Sequence, residues 1–314
     1  MMRDLGHILK STSIPVVIRE NEDLSRRTTF RIGGKARFFL EPLDVEALGS
    51  LIKLFHVHNI PWKVLGAGSN VLVNDEGIEE PVLSLRTCRN AINVESTTTI
   101  ATGTHITRKV LISADAGVSL KRLLGLCARH GWSGCEFLTG IPATVGGAAF
   151  MNAGTNDGTI ANIATCIELM TPSGESFFMP INAFSPSYRS LGIPEGHIVL
   201  KVKLELVEET PEKVFNRIRS IFLRRKETQP LTYPSAGCIF KNPPSPHPPA
   251  GWLIDRCGLK GYRIGDAQIS PIHANWIVNL GKARAQEVRE LIDHVKERVY
   301  QNFGIRLEEE VKLW

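Results

Sequence analysis

The sequence predicts an α+β protein built from three regions. A helix-to-strand pattern marks the first region, residues 1–85, and strand-like segments dominate the second, residues 86–207. The third region, residues 208–314, begins and ends with helices. With 314 residues, of which 43% are apolar and 22% charged, the chain is long enough for two or three domains that each have a core.

The first region is predicted to place one helix before a strand, a glycine loop and a second strand. Asp44 can cap the helix, since an aspartate side chain accepts hydrogen bonds from the N–H groups of a first turn. The apolar residues on one face of this helix are Val45, Leu48, Leu51, Ile52 and Phe55. The strands Pro61–Leu65 and Val71–Val73 flank the loop Gly66–Asn70.

The second region is predicted to be mostly β-strand. Residues 200–206 alternate between apolar and charged side chains, as a half-buried strand requires. Thr171–Gly174 is a predicted turn, and one helix begins after Ser119 and ends at Gly131. The predicted strands are Pro81–Leu85, Ile92–Ile100, Lys109–Ala114, Cys166–Met170, Ser176–Met179 and Ile198–Leu206.

The third region is predicted to hold two long helices with short strands between them. Thr210 and Pro211 are an N-cap followed by a proline at the first helical position, and this helix should stop before Gln229-Pro230. The second helix carries apolar residues at helical spacing from Val288 to Phe303 and ends at Gly304. The segment Pro243–Pro249 contains too many prolines for a helix or a central strand.

The composition argues against a disulfide framework, a metal site and a membrane span. The six cysteines form no C-x-x-C pair and the nine histidines no helical H-x-x-x-H pair, so we expect reduced thiols and no metal. The formal charge of +5 suits an anionic small substrate as readily as nucleic acid. Because Met1–Pro15 lacks the pattern of a signal peptide and no apolar run could span a bilayer, we expect a cytoplasmic protein.

The first glycine loop, Gly66-Ala67-Gly68-Ser69-Asn70, is a candidate phosphate-binding loop. It resembles the start of a dinucleotide-binding fingerprint, but Val71 stands at the third glycine position and a strand rather than a helix follows. Successive N–H groups in a tight turn can still bind an anion, and glycine lets a ligand approach closely. A purely structural turn is the alternative.

The second glycine-rich stretch runs from Gly140 to Gly154 and consists almost entirely of small residues. Its candidate binding residues are Gly140, Thr144, Gly146, Gly147, Asn152 and Gly154. Small side chains over fifteen positions indicate that the backbone closely approaches either other backbone or a large flat ligand. Two such stretches in one chain favour the ligand.

The segment Gly237–Pro243 places the Cys238 thiol, the Lys241 cation and the Asn242 amide within five residues. Three polar groups of different chemistry on so short a segment indicate a functional site. The alternative is that Cys238 is a small buried apolar residue beside Phe240 and that Lys241 is a solvated strand end.

Six motifs occur in the order seen in UDP-N-acetylenolpyruvoylglucosamine reductases, and from about residue 20 to its C-terminus the chain resembles that family. Each motif alone is weak, but six in register are highly specific. They are Thr29–Gly34, Gly66–Asn70, Gly140–Gly154, Tyr188–Ser190, Gly237–Pro243 and Leu307–Val311.

The resemblance implies an FAD-binding fold of the vanillyl-alcohol-oxidase (PCMH) type, with two α/β subdomains and a C-terminal α+β substrate-binding domain. It implies noncovalent FAD, with Gly66–Asn70 at the pyrophosphate and the Gly140–Gly154 stretch along the cofactor. The implied reaction uses NADPH to reduce the enolpyruvyl ether of UDP-N-acetylglucosamine to UDP-N-acetylmuramate. That step belongs to peptidoglycan synthesis, and the implied partners are the sugar nucleotide and NADPH, without nucleic acid or membrane.

The resemblance also assigns roles to individual residues. Arg189 would stabilise the negative charge that develops on the substrate, and its guanidinium suits a carboxylate better than a lysine would. Glu310 would polarise the enolpyruvyl group, while Tyr188, Lys241 and Asn242 would bind the substrate. As alternatives, Tyr188-Arg189 is a surface hairpin, Glu310 is one of three solvated glutamates and Lys241 is a strand end.

The chain departs from the family at Cys238, which occupies the position of the usual proton-donating serine. A thiol has a reference pKa near 8.5, far below that of an alcohol, so a protonated Cys238 would be the easier proton donor. The cost is sensitivity to oxidation and alkylation. The chain also lacks a long insertion after Tyr188-Arg189 that places an additional tyrosine on the substrate in some members.

Two alternative functions stay open. The first is another flavoenzyme of the same fold, for example an oxidase that attaches FAD covalently through a histidine, for which His105 and His130 are the candidates. A sugar-nucleotide or RNA-binding protein without catalytic activity would use the basic C-terminal region alone. We expect a monomer, although the sequence does not determine the oligomeric state.

Overall fold

The structure, a computed structural model, describes residues 5–102 and 105–314 and confirms the predicted mixture of helices and strands. The α-helices of these residues are α1 (Leu5–Ser11), α2 (Val45–Val57), α3 (Leu120–His130), α4 (Val145–Phe150), α5 (Ile160–Ile163), α6 (Pro211–Thr228), α7 (Ala250–Arg256) and α8 (Ala285–Phe303).

The first nine strands in chain order are β1 (Val16–Asp23), β2 (Lys35–Pro42), β3 (Lys63–Val64), β4 (Val71–Leu72), β5 (Val82–Leu83), β6 (Ile92–Thr102), β7 (His105–Asp115), β8 (Trp132–Ser133) and β9 (Gly154–Thr155). The others are β10 (Gly158–Thr159), β11 (Ala164–Met170), β12 (Ser176–Pro180), β13 (Ile198–Glu208), β14 (Ser235–Cys238), β15 (Arg263–Ile264), β16 (Ala267–Ile269), β17 (Trp276–Asn279) and β18 (Lys312–Leu313).

The chain divides into two compact units. Unit 1 comprises the described residues up to Arg19 together with Phe38–Gly66 and Glu80–Leu223. Unit 2 comprises Glu20–Arg37, Ala67–Glu79 and Arg224–Trp314. Two short segments, Glu20–Arg37 and Ala67–Glu79, therefore belong to unit 2 together with the C-terminal part of the chain. Hydrophobic periodicity does not predict this arrangement, because contacts between residues far apart in sequence join these segments to unit 2. The three-domain boundaries at residues 85 and 207 stay a prediction.

Unit 1 is organised around an antiparallel sheet in the order β12-β11-β13-β7-β6, with β8 paired to β13. The predicted alternation in β13 is confirmed, because its apolar side chains are buried whereas the intervening charged residues are partly or fully exposed. The buried residues on that face are Leu200, Val202, Leu204 and Leu206. They belong to a core that also takes in α2 and α3.

The predicted caps of α2 and α3 are confirmed. The Asp44 carboxylate accepts a hydrogen bond from the Ala47 N–H at 2.7 Å, and the Ser119 hydroxyl accepts one from Arg122 N–H at 3.2 Å. Gly131 follows α3 with a φ of +73°, a left-handed conformation that glycine adopts without steric cost. Local side-chain chemistry therefore suffices to define both helices.

Unit 2 contains a sheet in the order β14-β17-β16-β15, against which α8 packs through buried apolar residues. The short strand β18 pairs in parallel with β4, and Lys312 lies opposite Val71 in that pair. The Asp75 carboxylate accepts hydrogen bonds from the N–H groups of Ala285 and Gln286 at 2.8 and 3.1 Å, so it caps α8 from a distant segment. The helix ends at Gly304, as predicted, with a φ of +69°.

Some elements differ from the sequence-based expectation. The Gly140–Gly154 stretch contains the helix α4, although glycine and small residues weaken the helical pattern. The strands β1 and β2 and the helix α1 were not predicted. Among the helices of the described residues, none combines the length and apolar character that a bilayer span needs.

Candidate active site

The two glycine-rich stretches meet at Gly66 and Thr144, both in unit 1. A Cβ added at Gly66 would lie 2.7 Å from the Thr144 hydroxyl oxygen, so a larger residue would collide there. Thr144 is buried and caps α4, since its hydroxyl accepts a hydrogen bond from the Gly147 N–H at 3.3 Å. Sequence reasoning treated these stretches separately, and the structure brings their ends together.

The remaining residues of the first loop, Ala67–Asn70, lie in unit 2. Gly68 has a φ of +65°, and a Cβ there would approach the Arg27 carbonyl oxygen to 2.3 Å. Its own carbonyl accepts a hydrogen bond from Thr29 N–H at 3.0 Å. Packing therefore accounts for Gly68, while Ala67, Ser69 and Asn70 are half-buried at the loop surface.

The glycines of the second stretch serve different purposes. Gly140 adopts a φ of +78°, a Cβ at Gly146 would lie 2.7 Å from the Ala116 Cβ, and a Cβ at Gly154 would lie 2.3 Å from the Gly158 carbonyl oxygen. These three positions are explained by the fold itself. At Gly147 the nearest atom to an added Cβ is the Thr144 hydroxyl oxygen, at the ordinary contact distance of 3.5 Å, so packing does not require glycine there. The half-buried Gly147 backbone is therefore a candidate point of approach for a large ligand such as a cofactor.

Asn152 and Arg189 join the second stretch to the turn that carries Tyr188. The Asn152 amide nitrogen donates to the Ser187 carbonyl at 3.2 Å, and its oxygen accepts from Ala161 N–H at 3.1 Å. The Arg189 guanidinium donates to the Gly154 carbonyl at 3.0 Å and lies 4.9 Å from the centre of the Tyr188 ring. Asn152 therefore supports the turn from inside unit 1, with both ends of its amide engaged.

The turn itself is tight. Ser187 and Ser190 form an isolated antiparallel bridge, and Arg189 between them has a φ of +60°. Few residues other than glycine adopt that left-handed conformation, so surrounding contacts must maintain it. The turn presents Tyr188 with about half of its side chain exposed. A half-exposed aromatic ring beside a guanidinium is a suitable surface for an anionic substrate.

Cys238 is the last residue of β14, at the edge of a β-bulge in unit 2. Ser235 lies opposite Val278 and Cys238 opposite Trp276, so the register of β14 and β17 shifts between them. Gly237 in this bulge has a φ of +77°, and no atom lies within 4 Å of an added Cβ. Bulges redirect a side chain away from the regular sheet. Here the bulge immediately precedes the half-buried Cys238 thiol.

Lys241 and Asn242 follow Cys238 and contact other parts of unit 2. The Lys241 ammonium group forms an ion pair with the Glu308 carboxylate at 3.2 Å. The Asn242 side-chain oxygen accepts a hydrogen bond from the Ala250 N–H at 3.1 Å, at the start of α7. Asn242 thus ties the proline-rich segment to a helix, and Lys241 is a charged group at the surface.

The three consecutive glutamates near the C-terminus have three different environments. Glu308 is exposed and pairs with Lys241, whereas Glu309 pairs with Lys296. Burial raises the pKa of the Glu309 carboxyl, but the hydrogen bond and charge of Lys296 outweigh that effect and leave this pKa below its ordinary value. Glu310 is half-buried. The alternative, in which Glu310 is one of three solvated glutamates, therefore does not describe its half-buried side chain.

Glu310 lies next to the Cys238 strand and to the first glycine loop. Its N–H donates to the carbonyl of Ile239 at 2.8 Å, and its carbonyl accepts from the Asn70 side-chain amide at 3.0 Å. Unit 2 therefore brings Asn70, Cys238 and Glu310 together from three segments that are far apart in sequence. Unit 1 separately brings together Gly66, Thr144, Asn152, Gly154 and Arg189.

One buried residue of this region was not predicted from the sequence. Asn275 bonds to the main chain of Ile239 and Phe240, directly after Cys238. The available signal was its position one residue before the apolar strand β17, where a buried amide needs polar partners. The sequence alone does not say which partners those are.

Metal ligands, disulfides and histidines for covalent FAD attachment are the other features to consider in the described residues. Across residues 5–102 and 105–314, no three His, Cys, Asp or Glu side chains gather in a way that could hold a metal ion. The six cysteines, all within those ranges, are thiols rather than disulfides. Of the two histidines considered for covalent FAD attachment, His130 stacks on Trp132 with ring centres 4.7 Å apart, and the His105 side chain lies outside the described residues.

Two family profiles match this chain. Residues 36–178 match an FAD binding domain, and residues 229–314 match the C-terminal domain of UDP-N-acetylenolpyruvoylglucosamine reductase. The first match covers Gly66 and the second glycine-rich stretch, which includes Gly147. The second covers Cys238, Lys241, Asn242 and Glu310.

The amino-acid sequences of several reductases are similar to this chain over almost its whole length. The UDP-N-acetylenolpyruvoylglucosamine reductase of Syntrophobacter fumaroxidans is 41% identical over 298 residues, which is 95% of this chain and 84% of that protein. The enzyme of the same name from Moorella thermoacetica is 38% identical, over 96% of this chain and 95% of its own. The crystal structure of UDP-N-acetylenolpyruvylglucosamine reductase from Thermus caldophilus has 37% identity and a TM-score of 0.76, and the match covers 95% of this chain and all of that one. The predicted FAD-binding fold is confirmed by these similarities.

Proposed function

The chain belongs to the UDP-N-acetylenolpyruvoylglucosamine reductase family, and from that premise we propose that it reduces the enolpyruvyl ether of UDP-N-acetylglucosamine to UDP-N-acetylmuramate for peptidoglycan synthesis. The observation that carries the proposal is the contact between the Cys238 strand and Glu310. The hydrogen bond from Glu310 N–H to the Ile239 carbonyl, 2.8 Å long, sets a carboxyl-bearing segment beside a thiol-bearing one. Two proton-carrying groups on adjacent segments suit an addition of hydride and proton to a carbon–carbon double bond.

The overall reaction adds one hydride and one proton to the enolpyruvyl group. Bound FAD, once NADPH has reduced the flavin, would supply the hydride that adds to the terminal methylene carbon. The neighbouring carbon, which bears the ether oxygen and the carboxylate, then carries the developing negative charge and takes up the proton. The protein must therefore supply a cation for the carboxylate and an acid for that carbon.

Cys238 is the proposed acid. Its thiol donates the proton to the ether-bearing carbon, which leaves a thiolate that takes up another proton before the next turnover. The β-bulge at Gly237 supports this role, because it gives the residue at 238 an orientation that regular strand geometry would not. The resemblance to the family implies a serine at this position, and a thiol loses its proton more readily than an alcohol.

Arg189 and Glu310 are the proposed electrostatic partners of the enolpyruvyl carboxylate and its ether carbon. Arg189 offers a planar guanidinium with several donors, one of which is already engaged with Gly154. Glu310 is proposed to polarise the same group in its protonated form or through an intervening donor. Tyr188, Lys241 and Asn242 are proposed to bind the remainder of the sugar nucleotide.

Lys241 would need to exchange its present partner for the substrate diphosphate. Its ion pair with Glu308 joins two side chains that are 37% and 76% exposed. Pairs that exposed contribute little net free energy, so a dianionic diphosphate would compete effectively for the ammonium group. Asn242 would hold the segment in place through its bond to Ala250.

The cofactor is proposed to be noncovalent FAD. The FAD binding domain match spans residues 36–178, and packing does not explain the glycine at the half-buried position 147. The residues proposed to hold FAD are Gly66, Ala67, Gly68, Ser69, Asn70, Gly140, Thr144, Gly146, Gly147, Asn152 and Gly154. NADPH as the reductant, a monomeric state and a cytoplasmic location belong to the same proposal.

A spectroscopic titration tests the proposal. The purified protein should be yellow, NADPH should bleach its flavin absorbance, and the enolpyruvyl sugar nucleotide should restore that absorbance without oxygen. Substrate-dependent oxygen consumption without NADPH, with flavin left in an acid-precipitated pellet, would support the oxidase alternative instead. A colourless protein that binds the sugar nucleotide or RNA would support the noncatalytic one.

A further inference from the structure

The pairing of β14 with β17 ends at Cys238. Immediately beyond it, the main chain of Phe240 is hydrogen-bonded to a side chain, that of Asn275. Cys238 lies opposite Trp276, the first residue of β17. Asn275 precedes that tryptophan and is only 3% exposed. Its side-chain oxygen accepts from the Phe240 N–H at 2.9 Å, and its side-chain nitrogen donates to the Phe240 carbonyl at 2.8 Å. The amide thus occupies the place of a strand neighbour.

The main chain of Asn275 adds a third bond to the same segment. Its carbonyl accepts from the Ile239 N–H at 2.9 Å. On the opposite edge, the Ile239 carbonyl accepts from Glu310 N–H at 2.8 Å and the Lys241 N–H donates to the Glu308 carbonyl at 2.9 Å. The segment that follows Cys238 is therefore held on both edges, and on one edge these three bonds come from a single residue, two from the Asn275 side chain and one from its main chain.

The residue before Cys238 lies inside the bulge, between the pairs Ser235–Val278 and Cys238–Trp276. Gly237 has a φ of +77°, a conformation that glycine adopts without strain, and it has no side chain to pack. Side-chain restraint of this segment therefore comes from the C-terminal side of the thiol, where Asn275 makes both of its side-chain bonds to Phe240.

We propose that Asn275 is a positioning residue that holds the Cys238 thiol in its productive orientation. The inference rests on the proposed role of Cys238 as proton donor. Asn275 acts through the main chain of Phe240 and touches no reacting atom. Small displacements of a reacting group are costly, and about 1 Å is enough to reduce a rate by about 10²-fold.

The chain offers a matched control at the other end of the same strand. Asn279 is 2% exposed, and its amide nitrogen donates to the carbonyls of Phe30 and Arg31 at 3.1 and 3.3 Å. Its side-chain oxygen accepts from the N–H groups of Gly281 and Ala283 at 2.8 and 3.1 Å. It is thus an equally buried asparagine whose four side-chain hydrogen bonds all go to residues outside the Gly237–Pro243 segment.

The test compares Asn275→Asp and Asn275→Ala with Asn279→Asp and Asn279→Ala in the FAD-loaded protein. The aspartate at 275 keeps the acceptor for Phe240 N–H but sets an oxygen against the Phe240 carbonyl, and alanine removes both bonds. The first readout is the rate at which iodoacetamide alkylates Cys238, followed by peptide mass spectrometry. We expect a rise of about tenfold or more for both Asn275 variants, because lost hydrogen bonds make local opening easier.

Cys88 serves as an internal reference for global unfolding in the same experiment. Burial raises the pKa of its thiol to about 11, so it should react slowly in any folded variant. A parallel rise in alkylation of Cys88 and Cys238 would mean that a variant unfolds as a whole. If the alanine variant does so, the aspartate variant carries the comparison.

The second readout separates the two half-reactions. Both Asn275 variants should be reduced by NADPH at the wild-type rate, while reoxidation by the enolpyruvyl substrate slows by about 10²-fold. All four variants should lower the melting temperature, because each damages a buried hydrogen-bond network. Unchanged Cys238 alkylation and unchanged reoxidation in a destabilised Asn275 variant would overturn the inference and leave Asn275 a structural residue.

A double variant distinguishes failure of this inference from failure of the proposed function. If Asn275 acts through Cys238, then Asn275→Asp should slow reoxidation no further once Cys238→Ala is present. Additive slowing would overturn the positioning role. Should Cys238→Ala leave reoxidation intact by itself, the proposed proton donor is wrong, and altered Cys238 alkylation in the Asn275 variants would still report the structural coupling.

Discussion

The Arg189 guanidinium donates a hydrogen bond to the carbonyl oxygen of Gly154, 3.0 Å away. The bond joins a turn in the Tyr188–Ser190 segment to the end of the second glycine-rich stretch, 35 residues earlier in the chain. One arm of the guanidinium is therefore committed to orientation within unit 1. The guanidinium carries its N–H donors in a fixed planar fork, a geometry for an anionic ligand that a lysine in the same place would not supply.

Arg189→Lys should keep the positive charge of this side chain and remove the planar geometry of the guanidinium. We expect reduction by NADPH to continue, whereas reoxidation by the enolpyruvyl substrate slows by about 10²–10³-fold, the range for losing one electrostatic donor at a developing charge. Stopped-flow absorbance of each half-reaction measures the difference. Equal slowing of both half-reactions would instead indicate a distorted cofactor site and contradict the substrate role.

Glu310→Gln should slow reoxidation by a similar factor, about 10²–10³-fold. The hydrogen bonds of Glu310 with Ile239 and Asn70 use its main chain, so the substitution preserves them. The matched control is Glu309→Gln, one residue earlier, which removes a carboxylate paired with Lys296. The assignment fails if the two variants reoxidise at the same rate.

Cys238→Ser should keep substantial activity, and Cys238→Ala should lose about 10²–10⁴-fold in the rate of reoxidation by substrate, as expected for a positioned acid. Reduction by NADPH should be near normal in both, because the proton is needed only when the substrate is reduced. Rapid-mixing measurements on FAD-loaded protein give both rates.

A packing role for Cys238 makes the opposite forecast. Alanine would then lower the melting temperature through a small cavity and leave turnover nearly intact, while serine would be the worse replacement because it buries a hydroxyl. The order of the two variants in rate and in melting temperature therefore decides between the chemical and the structural role.

The ion pair between Lys296 and Glu309 should make part of the stability of unit 2 depend on pH. The pKa of the folded Glu309 carboxyl lies below its ordinary value of 4.5, so the unfolded state binds more protons between the two pKa values. The free energy of unfolding then rises with pH through that interval. Its contribution is complete above pH 4.5 and is lost as the pH falls through the folded pKa.

Glu309→Gln measures this contribution directly. We expect it to lower the free energy of unfolding at pH 7 by about 0.2–1 kcal/mol, the usual range for a partly exposed ion pair. The difference from the wild type should shrink as the pH falls below 4.5 and should also diminish at high salt. Denaturant titrations across pH would contradict the assignment if the difference were independent of pH.

The regular elements were largely predictable because their signals are local. Asp44 and Ser119 cap α2 and α3, and Gly131 and Gly304 end α3 and α8, as their sequence positions indicate. The alternation of β13 likewise follows from a single strand that is buried on one face. The helix α4 was missed because the small residues that favour close packing also weaken the helical pattern.

The sequence by itself determined the locally capped helices α2 and α3, the alternating strand β13, the identity of the chemical groups of the candidate site and, through ordered motifs, the family. Only the tertiary structure decided which residues from distant parts of the chain contact one another. Asn70 reaches Glu310 across 240 residues and Asn275 reaches Phe240 across 35, and neither pairing leaves a periodic trace in the sequence. The physical reason is that caps and alternation act within one turn or one strand, whereas a buried amide or carboxyl finds its partners only after distant segments have packed together.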